Sequence, residues 1–311
     1  MVAPRLAARG CEVAVIGGDP ARMITVSPAA KWMQGSTMWQ VMSALRRLGR
    51  FDVVHAHMTA AELGAVATKP FHGARLVATL HFASPRGSRR TGSPLPMLGR
   101  FLDEQIAISQ FVAQSVRVSR VLPLGVEWAD PGPSKRDRTV LVMQRLEAEK
   151  HTDAALRAWS GSGLRRRGWR LLIAGRGAEL NELRRLAHDL RIDDSTEWLG
   201  FVDNPGDIVA RTAVLLAPAP AEPFGMTVVE AMARATPVIA ASGGAHLETL
   251  GPDAWVFPVG DVCACTRLLD RVDAEDVGAY GARLQTRQRE LFDIDSHTDA
   301  LMQVYEDVVS T

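Results

Sequence analysis

The chain has little cysteine and no long apolar run, and each of these shortages excludes a class of protein. The three cysteines among 311 residues cannot build a disulfide framework, and a lone Cys-x-Cys lacks the partner pair of a zinc site. No apolar run reaches the length of a membrane span. The apolar stretch near the N-terminus is too short for a signal sequence. These shortages predict a cytoplasmic protein in a reducing environment.

The net charge of +1 hides a difference between the two halves. Residues 1–128 carry 15 Lys and Arg against 7 Asp and Glu, whereas residues 129–311 carry 21 against 28. A Gly/Pro/Ser-rich stretch, typical of a loop, concentrates part of the positive charge at Arg86, Arg89, Arg90 and Arg100. The asymmetry reflects either ordinary composition drift or a basic domain that meets an anionic acceptor or, peripherally, an anionic membrane.

Short apolar, β-branched runs alternate with helical patterns, which predicts an α/β fold with parallel sheets covered on both faces. The alternation occurs in two series, and the polar, Pro/Gly-rich residues 127–138 separate them. We therefore expect two Rossmann-like domains that face a cleft, with ligands beyond the carboxyl ends of the strands. The expected boundaries are 1–128 and 129–290, followed by a C-terminal helix over 291–311 that packs back on the first domain.

The segment AEPFGMTVVEAMA carries two acids, Glu222 and Glu230, with seven residues between them. Glu222 follows a predicted buried strand, and Gly225 precedes a predicted helix that begins near Met226. A glycine lets a ligand approach the backbone, and a helix N-terminus attracts phosphate. Because carboxylates accept hydrogen bonds from sugar hydroxyls, the pattern favours a nucleotide sugar. The alternative is that both acids are surface residues that stabilise a helix start.

Two further strand ends carry candidate binding residues. Arg145 and Lys150, in QRLEAEKH, could bracket a diphosphate, or they could be solvated surface charges. Gly175 and Gly177, in IAGRGAEL, form a lone Gly-x-Gly, which is also what a tight turn requires.

The sequence predicts no metal and no cofactor. His55 and His57 lie two residues apart on a predicted strand, but no third ligand is apparent. No Asp-x-Asp follows a plausible strand end.

These segments together resemble the retaining glycosyltransferases of family 4, which have the GT-B fold. The resemblance is strongest over about residues 139–311, in QRLEAEKHTDAALRAW, LLIAGRGAELNELRRLA and APAPAEPFGMTVVEAMARATPVIAASGGAHLE. It is looser in the first half, in FDVVHAH, VATLHF and AISQFVAQSV. The resemblance implies a metal-independent hexosyltransferase that uses a nucleotide-diphosphate sugar and retains the configuration of the sugar.

The resemblance also implies a role for each site residue. Glu222 would hold hydroxyls of the donor sugar, and Glu230 would hold the ribose diol. Arg145 and Lys150 would stabilise the departing diphosphate. His81 would lie near the reacting sugar, although a structural strand-end histidine is the alternative. Backbone amides would contact the sugar and diphosphate around Phe224, Gly225, Met226 and Thr227. The nucleotide base would be framed by Gly175, Gly177, Phe201 and Val202.

One departure from the family pattern concerns the first domain. MVAPRLAARGCEVAVIGG resembles the end of the family's first helix and its second strand, so we expect the first strand and its Gly-rich loop to be missing. That departure motivates a second hypothesis, a noncatalytic nucleotide-sugar binder. A nucleotide-sugar epimerase is a third, which the spacing of EPFGMTVVE disfavours.

Overall fold

A computed structural model of the chain describes residues 2–18, 30–83 and 98–311. The chain divides into two compact units: unit 1 consists of Met1–Gly125 with Ile294–Thr311, and unit 2 of Val126–Asp293. Arg86, Arg89 and Arg90 of the basic stretch lie outside the described residues. Arg100 is exposed in a short 3-10 turn, Gly99–Phe101.

Strands and helices alternate along both units. The described strands are β1 Val13–Gly17, β2 Ala30–Gln34, β3 Val53–His57, β4 Arg75–Leu80, β5 Glu104–Ala107, β6 Arg120–Val121, β7 Asp137–Met143, β8 Arg170–Ala174, β9 Thr196–Gly200, β10 Thr212–Ala217, β11 Val238–Ala241 and β12 Trp255–Phe257. The described helices are α1 Val2–Ala8, α2 Met38–Leu48, α3 Thr59–His72, α4 Gln110–Val116, α5 Thr152–Gly161, α6 Leu180–Asp189, α7 Gly206–Arg211, α8 Met226–Met232, α9 His246–Leu250, α10 Val262–Arg271, α11 Val277–Leu291 and α12 Ile294–Ser310.

The described strands of unit 1 form two separate parallel sheets. β1 pairs with β2, and a second sheet has the order β3-β4-β5-β6. In the second sheet His57 at the end of β3 lies opposite Thr79 of β4. Side chains at the carboxyl ends of these two strands therefore lie close together.

Helices cover both faces of the larger sheet in unit 1. Leu76 of β4 is fully buried and packs with Val41 and Leu45 of α2, whereas its neighbour Val77 is fully buried against Leu301 and Val304 of α12. Successive side chains of a strand point to opposite faces, so α2 and α12 lie on opposite sides of the sheet. The last helix of the chain thus belongs to the core of unit 1.

Unit 2 contains one six-stranded sheet of described strands in the order β12-β11-β10-β7-β8-β9, and every described pairing is parallel. Val140, Leu141 and Val142 of the central β7 have no exposed surface. Such unbroken apolar runs are expected where helices cover both faces of a parallel sheet. The prediction of two Rossmann-like domains is confirmed.

Candidate functional site

The segment from Glu222 to Glu230 leads from the end of a buried strand into a helix. β10 ends at Ala217, and α8 begins at Met226, directly after Gly225. Gly225 has φ of 91°, a left-handed conformation in which an L side chain is strained. The helix start that the sequence predicts after a glycine is therefore confirmed.

Phe224 anchors this turn to the core of unit 2. Its side chain is buried, and its ring lies edge-on to Phe292 with the ring centroids 5.7 Å apart. The hydroxyl of Thr249 donates to the carbonyl oxygen of Phe224 at 3.0 Å. Met226 is exposed and Thr227 is half-buried. Phe224 therefore anchors the turn in the core and does not present its ring to a ligand.

Glu222 forms an ion pair with Lys150. The Nζ atom of Lys150 donates to Oε2 of Glu222 at 2.6 Å, and the two side chains are only 16% and 19% exposed. Glu222 follows β10 and Lys150 follows β7, and these two strands are neighbours in the sheet. A pair with this little exposure is screened less by water and salt than a surface pair. The structure thus joins two of the residues that the sequence singles out.

Lys150 is held in place through its backbone. Gln144, just after β7, donates from Nε2 to the carbonyl oxygen of Lys150 and to Oγ1 of Thr152, at 2.9 Å in each case. His151 then takes a left-handed φ of 50°, and α5 begins at Thr152. Gln144 thus holds the backbone of Lys150, a contact that no sequence pattern pointed to.

Arg145 does not take part in the same ion pair. Its Nη2 atom donates to Oε1 of Glu149 at 2.9 Å, and its side chain is 64% exposed. Exposed pairs of this type contribute little to stability. Arg145 therefore lies at the surface. Its role as a second diphosphate contact stays a prediction.

Glu230 lies on α8 in a half-buried position. Burial raises the pKa of its carboxyl, and the positive charge of Arg234 opposes that rise. The Nη1 atom of Arg234 donates to the backbone oxygen of Glu230 at 3.1 Å. The ionised carboxylate is poorly solvated here, so hydroxyl groups of a ligand would stabilise it.

The glycine turn after β8 approaches the end of β9. The Gly175 amide donates to the carbonyl oxygen of Gly200 at 2.7 Å, and a side chain at Gly177 would collide with the backbone of Leu146. The guanidinium of Arg176 lies 5.5 Å from the ring centre of Phe201, which is 57% exposed. Val202 follows, half-buried. The predicted base-framing residues Gly175, Phe201 and Val202 are thus brought to one edge of the sheet.

A loop after β11 supports Glu222 from the other side, and the sequence analysis missed it. The Ala245 amide donates to the backbone oxygen of Glu222 at 2.8 Å, and a side chain at Gly244 would collide with the Glu222 backbone. His246 is buried, its Nδ1 lies 2.9 Å from Ala241 O, and burial lowers its pKa. The sequence offered an indication of this loop, because the glycine-containing segment SGGAH directly follows the end of β11.

Unit 1 has its own cluster of histidines at the ends of β3 and β4. Nδ1 of His57 lies 2.9 Å from Nε2 of His81. His55 lies 2.7 Å from the hydroxyl of Tyr305 and 2.7 Å from that of Thr79. Desolvation lowers the pKa of all three histidines, and neighbouring imidazoles lower those of His55 and His57 further. The three rings are therefore neutral at pH 7, and His57 was not expected as a neighbour of His81.

Within residues 2–18, 30–83 and 98–311, no group of three or more His, Cys, Asp or Glu side chains is arranged to hold a metal ion. Over the same ranges no helix is both long enough and apolar enough to cross a bilayer.

Comparison with known proteins agrees with the architecture of both units. Residues 127–284 match the family described as Glycosyl transferases group 1, and residues 1–126 match the one described as Glycosyltransferase Family 4. The fold is that of the GT-B glycosyltransferases. The chain belongs to the glycosyl transferases group 1 family.

Curated relatives are distant. An exopolysaccharide phosphotransferase of Streptomyces coelicolor is 26% identical over 62% of this chain and 22% of its own length. A D-inositol 3-phosphate glycosyltransferase of Acidothermus cellulolyticus is 29% identical over 65% of this chain and 54% of its own length. The chain therefore spans about half of the second relative and less of the first.

Solved structures show the same fold at low identity. Sucrose-phosphate synthase from Thermosynechococcus elongatus superposes with a TM-score of 0.83 at 19% identity, covering 99% of this chain and 92% of that one. HepE of Anabaena, solved in complex with UDP, gives 0.76 at 16% identity, covering 89% and 86%.

Proposed function

We propose that the protein is a retaining glycosyltransferase that moves a hexose from a nucleotide-diphosphate sugar to an acceptor hydroxyl without a metal ion. The observation that carries this proposal is the shielded Lys150–Glu222 pair beside the Gly225 turn. A nucleotide-diphosphate sugar requires both partners of such a pair: a cation for its diphosphate and a carboxylate for its sugar hydroxyls. The UDP complex of HepE, a protein of the same fold, supports a nucleotide donor.

In the proposed reaction the acceptor hydroxyl attacks the anomeric carbon on the face from which the nucleoside diphosphate leaves, so the configuration is retained. The bond between the anomeric carbon and the β-phosphate oxygen breaks. The departing phosphate oxygen takes the proton of the acceptor. Lys150 stabilises the negative charge that grows on the diphosphate, and Arg145 is proposed as a second cation. These charges would do the work that a metal ion does in other transferases.

The remaining residues bind and orient the donor. Glu222 holds hydroxyls of the donor sugar, and Glu230 holds the ribose diol. His81 is proposed to lie near the reacting sugar, where its neutral imidazole hydrogen-bonds a sugar hydroxyl. Backbone amides contact the sugar and diphosphate at Phe224, Gly225, Met226 and Thr227. The base lies against Gly175, Gly177, Phe201 and Val202.

One observation favours a second candidate, a protein that binds nucleotide sugars and does not transfer them. The described strands of unit 1 are divided into two sheets, which leaves strand edges without a described partner, and proteins normally pair or cover such edges. A weakened unit 1 would leave donor binding by unit 2 intact and remove transfer.

The decisive experiment incubates the purified chain with UDP-, GDP- and ADP-hexoses, with and without a chelator. Slow hydrolysis that releases a sugar of unchanged anomeric configuration, resolved by NMR at early times, supports the transferase. Binding without turnover supports the noncatalytic candidate. An altered sugar on an intact diphosphate points to an epimerase, and loss of turnover with chelator contradicts metal independence.

We also propose peripheral contact with an anionic membrane, based on the positive balance of residues 1–128. Each well-placed cation contributes about 1 kcal/mol near an anionic surface. The test is co-sedimentation with vesicles of phosphatidylcholine and phosphatidylserine at low and high salt, using the chain and a variant in which three arginines become Gln, namely Arg86, Arg89 and Arg90. Equal partitioning of the two proteins at low salt contradicts the proposal.

A further inference from the structure

His57 and His81 follow neighbouring strands on the same face of the larger sheet in unit 1. His57 is the last residue of β3 and lies opposite Thr79 of β4. His81 comes two residues after Thr79, so the alternation of side chains along a strand directs it to the same face. The pairing of β3 with β4 therefore brings the two rings together at one edge of the sheet.

The contact between the two rings uses one particular nitrogen of each. Nδ1 of His57 lies 2.9 Å from Nε2 of His81, and the ring centroids are 5.2 Å apart. Two ring nitrogens at this distance share one proton, which either ring can donate. In both arrangements His57 occupies Nε2 of His81, and among the described residues Nδ1 of His81 has no hydrogen-bond partner.

The free nitrogen of His81 is suited to a hydroxyl group. Desolvation lowers the pKa values of both histidines, and the charge of His81 opposes protonation of His57 as well, so both rings are neutral at pH 7. A neutral imidazole has one donor and one acceptor nitrogen. Once Nε2 is engaged, Nδ1 takes the remaining role, and a hydroxyl satisfies it in either case because a hydroxyl both donates and accepts.

His55 supports the ring of His57. The centroids of these two rings lie 4.4 Å apart, with 32° between the ring planes. His55 is itself held at both nitrogens, by the hydroxyl of Tyr305 on α12 and by that of Thr79, each at 2.7 Å. The ring of His57 therefore packs against a ring that cannot rotate without losing two hydrogen bonds.

The backbone directly after His57 is constrained too. Met58 has φ of 76°, which is uncommon for a residue other than glycine, and α3 begins at the next residue, Thr59. Strained residues of this kind persist only where the surroundings hold them, and they cluster at ligand sites. The backbone and the ring of His57 are thus both held in place, as a positioning residue requires.

We propose that His57 is a positioning residue for the donor sugar: it holds His81 at Nε2, so that Nδ1 of His81 is the atom that hydrogen-bonds a sugar hydroxyl. This inference rests on the proposed donor site, to which it adds the nitrogen that faces the sugar and the residue that holds the ring. Without His57 the ring of His81 can turn and offer either nitrogen. The sugar contact then weakens, whereas the proposed nucleotide contacts of unit 2 stay as they are.

The first measurement needs no ligand. A scalar coupling between two ring nitrogens passes through an N–H···N hydrogen bond and is detected by NMR in the full chain labelled with ¹⁵N-histidine. We expect this coupling between Nδ1 of His57 and Nε2 of His81 at neutral pH, and we expect His57→Leu to remove it. Its absence from the wild-type chain overturns the proposal, whether or not the variant folds.

The second measurement isolates the share of the sugar in donor binding. Calorimetric titration with UDP-, GDP- and ADP-glucose, each beside its nucleoside diphosphate, gives the gain in affinity that glucose provides. His57→Leu should reduce this gain roughly tenfold and change the Kd of the nucleoside diphosphate by less than about twofold. His57→Asn should recover most of the gain, because its amide branches from Cγ as Nδ1 does and can hydrogen-bond to His81. A merely structural role would lower the melting temperature and leave the gain unchanged.

Two more variants test which nitrogen of His81 faces the sugar. His81→Gln keeps an amide near the position of Nε2 but has none at Nδ1, so it should lose the gain as His57→Leu does. His188→Leu, on the exposed surface of α6, removes a histidine elsewhere and should lose nothing. An undiminished gain in His57→Leu or in His81→Gln overturns the proposal.

Failure of this proposal differs from failure of the proposed donor site. If no glucose donor binds the wild-type chain better than its nucleoside diphosphate, the donor site fails and the sugar contact of His81 fails with it. If donors do bind better but the coupling is absent, only the role of His57 fails.

Discussion

Glu230→Gln offers the sharpest test of the donor site, because the structure separates its effect on binding from its effect on folding. The carboxyl is half-buried, and burial raises its pKa, so the ionised form is costly in the unliganded protein. The substitution removes that charge while keeping the shape and the backbone bond from Arg234. We therefore expect the free energy of unfolding to stay the same or to rise slightly.

Binding should respond in the opposite direction. A hydrogen bond to a charged group contributes about 1.5–3 kcal/mol, which corresponds to a roughly ten- to hundredfold change in affinity. If Glu230 accepts from both ribose hydroxyls, its replacement should raise the Kd of every nucleotide that binds by about that factor. Because ribose is common to UDP, GDP and ADP, the loss should be similar for all three.

The assay is calorimetric titration of the three nucleotides against the chain and the variant, with thermal melting in parallel. Glu290→Gln, on the exposed surface of α11, removes a carboxylate of the same kind elsewhere in unit 2 and should leave every Kd unchanged. If Glu230→Gln changes no Kd by more than twofold, the carboxylate does not hold the ribose and that assignment is refuted.

Three other changes test separate features. In the same titrations, Lys150→Met should erase most of the preference for a nucleoside diphosphate over the bare nucleoside. Adding Arg145→Met should have a smaller effect, because Arg145 is exposed and paired with Glu149. A double variant that still prefers the diphosphate would place the cations elsewhere. Gly225→Ala and its control Gly260→Ala should each lower the free energy of unfolding by about 1 kcal/mol, because both glycines have a left-handed φ, of 91° and 82°. Only Gly225→Ala should also weaken nucleotide binding. Equal effects of the two variants on binding would contradict a role for the Gly225 turn. The pKa values of His55 and His57 are lowered in the folded protein, so the unfolded chain binds protons at a higher pH than the folded one. Their contribution to the free energy of unfolding is therefore present above about pH 6.5 and is lost as the pH falls below it. Between pH 7.5 and pH 5, urea unfolding should show a smaller decrease in the free energy of unfolding for His55→Asn than for the wild type, and an identical decrease would argue against this source.

Local patterns were sufficient for most elements of unit 2. The glycine before α8, the unbroken apolar run of β7 and the Gly-x-Gly after β8 each act through neighbouring residues, so the sequence alone predicts them. In unit 1, β2 and α2 were missed. β2 is short and mixes polar with apolar residues, but α2 carries a recognisable capping box, in which Thr37 and Gln40 bond each other's backbone amides.

The sequence by itself determined the alternation of strands and helices, the two Rossmann-like units and the residues that follow each strand. Only the tertiary structure decided which of those residues meet. Lys150 and Glu222 are 72 positions apart, and they form a pair because β7 and β10 are neighbours in the sheet, an order that no local pattern specifies. The same holds for Glu222 and Ala245 and for His57 and His81. Each depends on strand order, which is set by the packing of whole elements across the sheet and not by the residues next to it in the chain.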